Sequence, residues 1–387
     1  MLIQVLLAAW PAIALATQDQ GPPPTTTTAA EWTKAGDAKL DSADADGALQ
    51  DYVKAIGLDQ KYAPAWNGRA IARQRKGDID GALQDFTKAL ELSPSEVFYR
   101  NRASAKRQQS DLRGAITDLS KAIELNPAYG EAYIARATAR FAADDLDGSL
   151  ADFRKALELD PRNPDVYRGM AYSKKDEGDY DGALHDISRA LTIAPDSAAL
   201  HASRGLINSY RGDTNAALKD YTRAIEIAPQ EMSHYYFRGC VFQDAQKWHE
   251  AYLDYKKSAE LSSPQWEFPR LRMWLVRARL GEREPATQDL KAWLLLRNGP
   301  PKDAAARVAA YLTGGLAEKD FLKSADAEIG AGQRGRRCQA YFFAGEKRLL
   351  DGDRGMAKDL FKRALTTEAR NWRDYGSAQA ELNFMEK

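Results

Sequence analysis

Charged side chains that could bind ions or take part in catalysis recur along this chain at intervals of about 34 residues. The recurrence has two interpretations: a ladder of ion-binding sites, or structural pairs within each repeat and along each helix. Opposite charges at helical spacing favour structural pairs, which hold helices together without forming a site. The recurring residues are Arg69, Arg102, Arg136, Arg204 and Arg238, together with Asp51, Asp85, Asp118, Asp152, Asp186, Asp220 and Asp254.

Histidine and cysteine, the residue types that most often bind metals, show no metal-site spacing. Cys240 and Cys338 lie about a hundred residues apart, which disfavours a disulfide in an elongated structure. Glycine-rich phosphate loops and nucleophile motifs are absent. We therefore expect no metal, no cofactor and no catalytic activity, since an enzyme carrying these repeats would need a further domain for which little chain remains. The histidines are His185, His201, His234 and His249.

The elements that position the charges are repeats built around a tetrad of the type Ala-Leu-x-Asp. Each unit has an aromatic residue or His at its fourth position and a Gly or Ala four residues later. We expect the latter to face a small residue of the second helix, so that the two backbones approach closely. A Pro ends most units, because it cannot continue a helix. The units start near Ala29, Ala63, Glu96, Gly130, Pro164, Ala198 and Met232.

This pattern resembles the tetratricopeptide family. The resemblance implies an all-α fold, a right-handed superhelical solenoid of antiparallel helix pairs with capping helices at its C-terminal end. It also implies that a protein or an extended peptide binds the concave face, at set positions of the first helices. Each such side chain has an alternative role, in which it only covers a neighbouring helix. The positions hold Arg100, Arg107, Ile134, Phe141, Arg168, Tyr172, Lys175, Leu206, Tyr210 and Tyr236.

Two classes of partner are disfavoured. A carboxylate clamp for chaperone tails would need Lys and Asn at the fifth and ninth positions of an early repeat, where this chain has Thr33 and Asp37, then Asn67 and Ile71. Lys and Arg together number 55, as do Asp and Glu. No net field therefore draws nucleic acid or anionic lipid to the surface.

The chain begins with an apolar run, MLIQVLLAAWPAIALA, that is too short to span a bilayer. Its end is typical of a secretory signal peptide cleaved after Ala16. No Lys or Arg precedes the run, so either the start codon lies upstream or the leader is atypical. The predicted segments are 1–16 (signal peptide), 17–30 (disordered Pro/Thr-rich spacer), 31–265 (seven repeats), 266–299 (degenerate repeat), 300–333 (short helical connector) and 334–387 (a repeat-like unit from Cys338 and a capping helix).

The C-terminal part resembles a narrower group, the NlpI-type periplasmic repeat lipoproteins of Gram-negative bacteria. The resemblance rests on AAYLTGGLAEKDFLKSA, CQAYFFAGEKRLLDGDRGMAKDLFKRAL and NWRDYGSAQAEL, within residues 302–382. It implies an envelope adaptor that brings a carboxyl-terminal processing protease or peptidoglycan hydrolases together with their substrates. No lipid-anchor cysteine follows the leader, so membrane association stays open.

The sequence therefore predicts a non-catalytic protein-binding scaffold that is periplasmic or secreted and has no transmembrane span in its mature form. Retention of the leader would instead leave a cytoplasmic co-chaperone or assembly scaffold. The identity of the partner and the oligomeric state, including a homodimer, stay open.

Overall fold

The computed structural model describes residues 27–262, 267–296, 303–327, 332–370 and 372–386. These residues form 21 helices and no strands. The predicted signal peptide and most of the predicted spacer lie outside the described residues. The chain divides into two compact units, residues 1–109 and 110–387, which are described separately.

The helices follow one another in pairs, and the first helix of each of the seven units begins at the predicted residue. Unit 1 contains α1 (Ala29–Asp41), α2 (Ala45–Leu58), α3 (Ala63–Arg75), α4 (Ile79–Leu92) and α5 (Glu96–Gln108). Unit 2 contains α6 (Leu112–Leu125), α7 (Gly130–Ala142), α8 (Leu146–Leu159), α9 (Pro164–Glu177), α10 (Tyr180–Ile193), α11 (Ala198–Arg211), α12 (Thr214–Ile227), α13 (Met232–Asp244), α14 (Trp248–Leu261), α15 (Phe268–Arg279), α16 (Arg283–Leu295), α17 (Ala304–Leu312), α18 (Glu318–Ala327), α19 (Gln333–Leu350), α20 (Arg354–Thr366) and α21 (Arg373–Met385).

Ion pairs join the two helices of a repeat and show that they run antiparallel. The Arg69 guanidinium donates to both carboxylate oxygens of Asp85, at 2.8 and 2.7 Å. Arg73, one turn later in α3, donates to the carbonyl of Gly81, one turn earlier in α4. Removing one partner of such a buried pair costs about 3–5 kcal/mol. The prediction of structural pairs is confirmed here and in Arg136–Asp152, Arg204–Asp220 and Arg238–Asp254.

Side chains at the fourth position of a repeat tie down the loop that precedes the first helix. The Trp66 indole N–H donates to the carbonyl of Gln60 at 2.9 Å, and the Tyr235 hydroxyl donates to that of Pro229 at 3.2 Å. A ring nitrogen of His201 lies 2.8 Å from the carbonyl of Pro195. The imidazole therefore replaces an aromatic side chain in a structural contact.

The close approach between helices brings a ring against a glycine, in addition to the expected contact between small residues, which is seen where Gly205 faces the backbone of Ala217. A Cβ added to Gly36 would lie 2.8 Å from the ring of Tyr52, and one added to Gly68 would lie 2.3 Å from the same ring. Tyr52 is fully buried, and its hydroxyl donates to Asp37 at 2.6 Å. The ring of α2 is thus held between α1 of its own repeat and α3 of the next.

The C-terminal helices share one apolar core with α15 and α16. This core includes Leu271 and Trp274 from α15, Phe342 from α19, Phe361 from α20 and Leu382 from α21. Cys338 is a buried free thiol in this core, and Cys240 is a buried free thiol in a different cluster.

The last repeat-like unit begins earlier than the repeat pattern indicates. Its first helix, α19, starts at Gln333 rather than near Cys338. A Cβ on Gly335 would lie 1.7 Å from the ring of Trp372, so a glycine lets the helix pass this tryptophan. The extra helical turn is therefore explained by a contact with the segment that precedes α21.

The ring-to-glycine contact predicts the outcome of a paired substitution. Gly68→Ala should lower the free energy of unfolding by about 1–3 kcal/mol, because the Tyr52 ring has no room to move. Gly57→Ala is the control, since a Cβ there meets nothing within 4 Å; it should leave stability unchanged or raise it by up to about 1 kcal/mol. Urea denaturation followed by circular dichroism measures both, and equal effects would contradict this account.

Candidate functional site

The first turn of α21 lies against α13 and α15 and is held there by buried ion pairs. Asp374 forms an ion pair of 2.6 Å with Arg272, and the two side chains are 8% and 1% exposed. The guanidinium of Arg272 also lies 4.6 Å from the ring centre of Phe342. Arg373 pairs with Asp244, which also accepts a hydrogen bond of 2.9 Å from Ser377. Separating α21 from α13 and α15 would leave these charges uncompensated.

A second ionic cluster joins the same helix to α15 and α19. Arg279 forms ion pairs with Glu346 at 2.7 Å and Glu381 at 3.4 Å, and its guanidinium lies 5.2 Å from the ring centre of Trp248. One carboxylate oxygen of Glu346 is buried without a hydrogen-bond partner. Burial, and then the neighbouring charge of Glu346, raise the pKa of Glu381 to about 8. One guanidinium therefore serves two buried carboxyl groups, of which Glu381 holds its proton to a higher pH than usual.

Four of the predicted binding residues lie on the first helices α5 and α7. In unit 1, Arg107 is exposed, and half-buried Arg100 donates to Asn101 at 3.1 Å. In unit 2, half-buried Ile134 packs against the cluster around Phe153. Phe141 lines a cleft of about 410 Å³ together with Trp372 and Arg334.

The other six predicted residues lie on α9, α11 and α13. Arg168 forms a 2.8 Å ion pair with Asp165, and the Tyr172 hydroxyl lies 2.7 Å from that of Ser203. Leu206 is half-buried beside the ring of Tyr221. These six residues differ most in how exposed their side chains are, and Lys175, Tyr210 and Tyr236 show this difference.

Lys175, Tyr210 and Tyr236 are brought close to the chain's own C-terminal segment. Lys175 is 7% exposed and places its ammonium 4.8 Å from the ring centre of Tyr210. Tyr236 is 7% exposed and belongs to a core cluster with Tyr255. Burial raises the pKa of Tyr210, and the positive charge of Arg373 opposes this rise. Of the three, Tyr210 alone lines an open cleft.

That cleft has a volume of about 710 Å³ and is called the α21 cleft below. One wall consists of Tyr210 and Arg211 at the end of α11 with neighbouring residues of α10, α12 and α13, and the other wall is α21. The sequence analysis did not find the second wall, because its residues fall outside the repeats. The unpredicted lining residues include Tyr180, Arg370, Tyr375, Gln379, Asn383 and Phe384.

Comparison with known proteins identifies the helical repeats. Family models described as tetratricopeptide repeat match residues 63–96, and residues 100–164 and 168–231. The chain contains tetratricopeptide repeats. Such repeats act as surfaces that bind proteins or peptides, and they are typically not catalytic. A search of curated proteins gave no match.

Solved structures show where the fold recurs. A tetratricopeptide repeat protein from Parabacteroides merdae is 20% identical with a TM-score of 0.56, over 64% of this chain and 98% of its own. At this identity the likeness shows the fold alone. YrrB, described as a TPR protein with an unusual peptide-binding site, is 21% identical with a TM-score of 0.39, over 47% of this chain and 95% of its own. Pseudomonas aeruginosa pilF is 17% identical with a TM-score of 0.44, over 55% of this chain and 95% of its own.

Two further features concern the described ranges between residues 27 and 386, namely metal-binding clusters and membrane-spanning helices. No group of three or more His, Cys, Asp or Glu side chains is arranged to hold a metal ion there. No helix in these ranges combines the length and the apolar character that a membrane span requires.

The raised pKa of Glu381 predicts how the stability of the fold depends on pH. The pKa of Glu381 rises on folding from 4.5 to about 8, so its contribution to stability is complete below pH 4.5 and is lost as the pH rises through about 8. Glu381→Gln should melt like the wild type at pH 5 and about 2–4 °C higher at pH 9. Differential scanning calorimetry measures this difference. The control is Glu250→Gln, because Glu250 is exposed on α14. If Glu381→Gln differs from the wild type by the same amount at both pH values, the raised pKa of Glu381 is contradicted.

Proposed function

We propose that this chain is a non-catalytic adaptor that binds a partner protein on the first-helix face of its tetratricopeptide repeats, in the bacterial cell envelope. The observation that carries the proposal is an open cleft bounded on one side by the ends of first helices and on the other by α21. Aromatic and charged side chains line it together, a combination enriched in protein interfaces. Such a surface is sufficient for a scaffold, because binding a partner requires no catalytic group.

The accessible part of this face is smaller than the repeat pattern predicts. Lys175 and Tyr236 are buried, and we leave them out of the contact surface. Six predicted residues of unit 2 remain partly exposed, namely Ile134, Phe141, Arg168, Tyr172, Leu206 and Tyr210. Those that line a cleft or carry a charge are Phe141, Arg168 and Tyr210. We propose that a partner contacts these three residues together with the wall that α21 provides.

The proposed location rests on the sequence. The leader ending at Ala16 supports export, and the three C-terminal segments similar to NlpI-type proteins support a role beside an envelope protease or a peptidoglycan hydrolase. Those segments correspond to helices α17 to α21, which form the wall of the α21 cleft and the core behind it. We propose that this same part of the chain receives the partner.

Photocrosslinking in cells tests the binding face. Benzoylphenylalanine placed at Arg168, on α9, should form a covalent adduct with a partner, because this side chain is partly exposed on a first helix. The same group at Arg154, exposed on the second helix α8, is the matched control. Immunoblotting after irradiation should show a shifted band at position 168 only. Adducts at both positions or at neither would contradict a defined binding face.

Mass determination of the N-terminus tests the location separately. Expression of the gene with its own leader should give a chain that begins at Thr17 in a periplasmic fraction, because a signal peptidase cuts after small residues such as Ala16. An intact Met1 in the cytosol would rule out the envelope role and leave the cytoplasmic scaffold.

A further inference from the structure

The α21 cleft is a fixed feature of unit 2, since α21 cannot leave it without exposing buried charge. Arg272 and Asp374 are almost fully buried as a pair, and Arg373 and Ser377 both bind Asp244. On its other side, α21 contributes Ala378 and Leu382 to the apolar core. A ligand must therefore enter the space beside α21 rather than replace it.

The cleft carries one uncompensated charge, the guanidinium of Arg370. Arg211 forms ion pairs with Asp181 at 3.1 Å and Asp213 at 3.3 Å, and Asp244 is neutralised by Arg373. Arg370 is exposed and forms no ion pair with any residue that the structure describes. Arg370 also lines the smaller cleft, whose acidic lining residues are Asp144, Asp176 and Glu368, but none of these three described residues forms an ion pair with it. The charges of the lining residues therefore favour a negative group on the ligand.

Two amide side chains on α21 are placed to bind a peptide backbone. The Gln379 amide N–H donates to the Asn383 carbonyl oxygen at 3.1 Å. This bond leaves the Gln379 oxygen as an acceptor and the Asn383 amide nitrogen as a donor, and both residues line the cleft. An extended segment presents unpaired backbone N–H and C=O groups to such a pair, whereas a helix has satisfied its own.

Aromatic rings complete the lining. Tyr180 and Tyr210 stand on the repeat side, and Tyr375 and Phe384 stand on α21. Arg370 lines the same cleft as these four rings. A cation between aromatic walls suits an acidic side chain flanked by apolar or aromatic ones.

We propose that the α21 cleft binds an extended segment of a partner protein, with an Asp or Glu side chain against Arg370 and the backbone along Gln379 and Asn383. This inference rests on the proposed function and specifies the partner segment. The basis of recognition is a carboxylate inside a chain, and a free C-terminal carboxylate is the alternative that the test must exclude.

Selection from a random dodecapeptide library displayed on phage, with the purified full chain as bait, tests the proposal. Wild type should enrich peptides with Asp or Glu, and Arg370→Glu should enrich peptides with Lys or Arg in the same position. Arg363→Glu is the matched control, because Arg363 is an exposed arginine on α20 that lines neither cleft, and it should select the same peptides as wild type.

Binding of one selected peptide, made with an amidated C-terminus and a fluorescent label, is then measured by anisotropy. Asp→Asn in the peptide should weaken binding about tenfold, as expected for loss of a charge-assisted hydrogen bond. Gln379→Ala with Asn383→Ala should weaken it by a similar factor. The proposal is overturned if no acidic peptide is enriched, if Arg370→Glu and Arg363→Glu select alike, or if only free C-termini bind. Crosslinking at position 168 would still decide the proposed function in each of these cases.

Discussion

The fit of a buried ring against a glycine or alanine of a neighbouring helix determines how the repeats pack. Tyr52 fills the space between α1 and α3, where Gly36 and Gly68 leave room for its ring. Phe153 meets Gly169 of the next repeat in the same way, and Phe361 meets Gly345. Because a ring of fixed size separates the helices, each repeat sets the position of the next, and within unit 2 the first helices come to form one face.

This face would be open if the chain ended with its regular repeats, but in unit 2 the last helix returns to it. The contact between α21 and α13 is made mainly by charges, whereas α21 packs on α19 and α20 through apolar side chains. Buried ion pairs stabilise little in net terms, yet they specify position, because any other placement leaves a charge without its partner. The proposed binding face is therefore limited to clefts, each of which has one wall made by residues outside the regular repeats.

Charge is organised differently in the two places where it is buried. Within repeats, one aspartate of the second helix meets one or two arginines of the first, as Asp85 meets Arg69 and Arg73. In the C-terminal part, Arg279 serves both Glu346 and Glu381, so the number of acids exceeds the number of bases and a proton makes up the difference. The second arrangement makes the attachment of α21 sensitive to pH.

The sequence alone determined the helical repeats, the residue at which each first helix begins and the pairing of Arg with Asp, because these depend on local periodicity and on contacts inside one unit. It also determined which first-helix positions to examine, but not their accessibility. Only the tertiary structure showed that Lys175 and Tyr236 are buried, that Arg370 lines a cleft without an ion-pair partner among the described residues, and that Asp374 meets Arg272. The contact between Arg272 and Asp374 joins residues about a hundred positions apart, one of them outside the regular repeats, and no periodic signal encodes it.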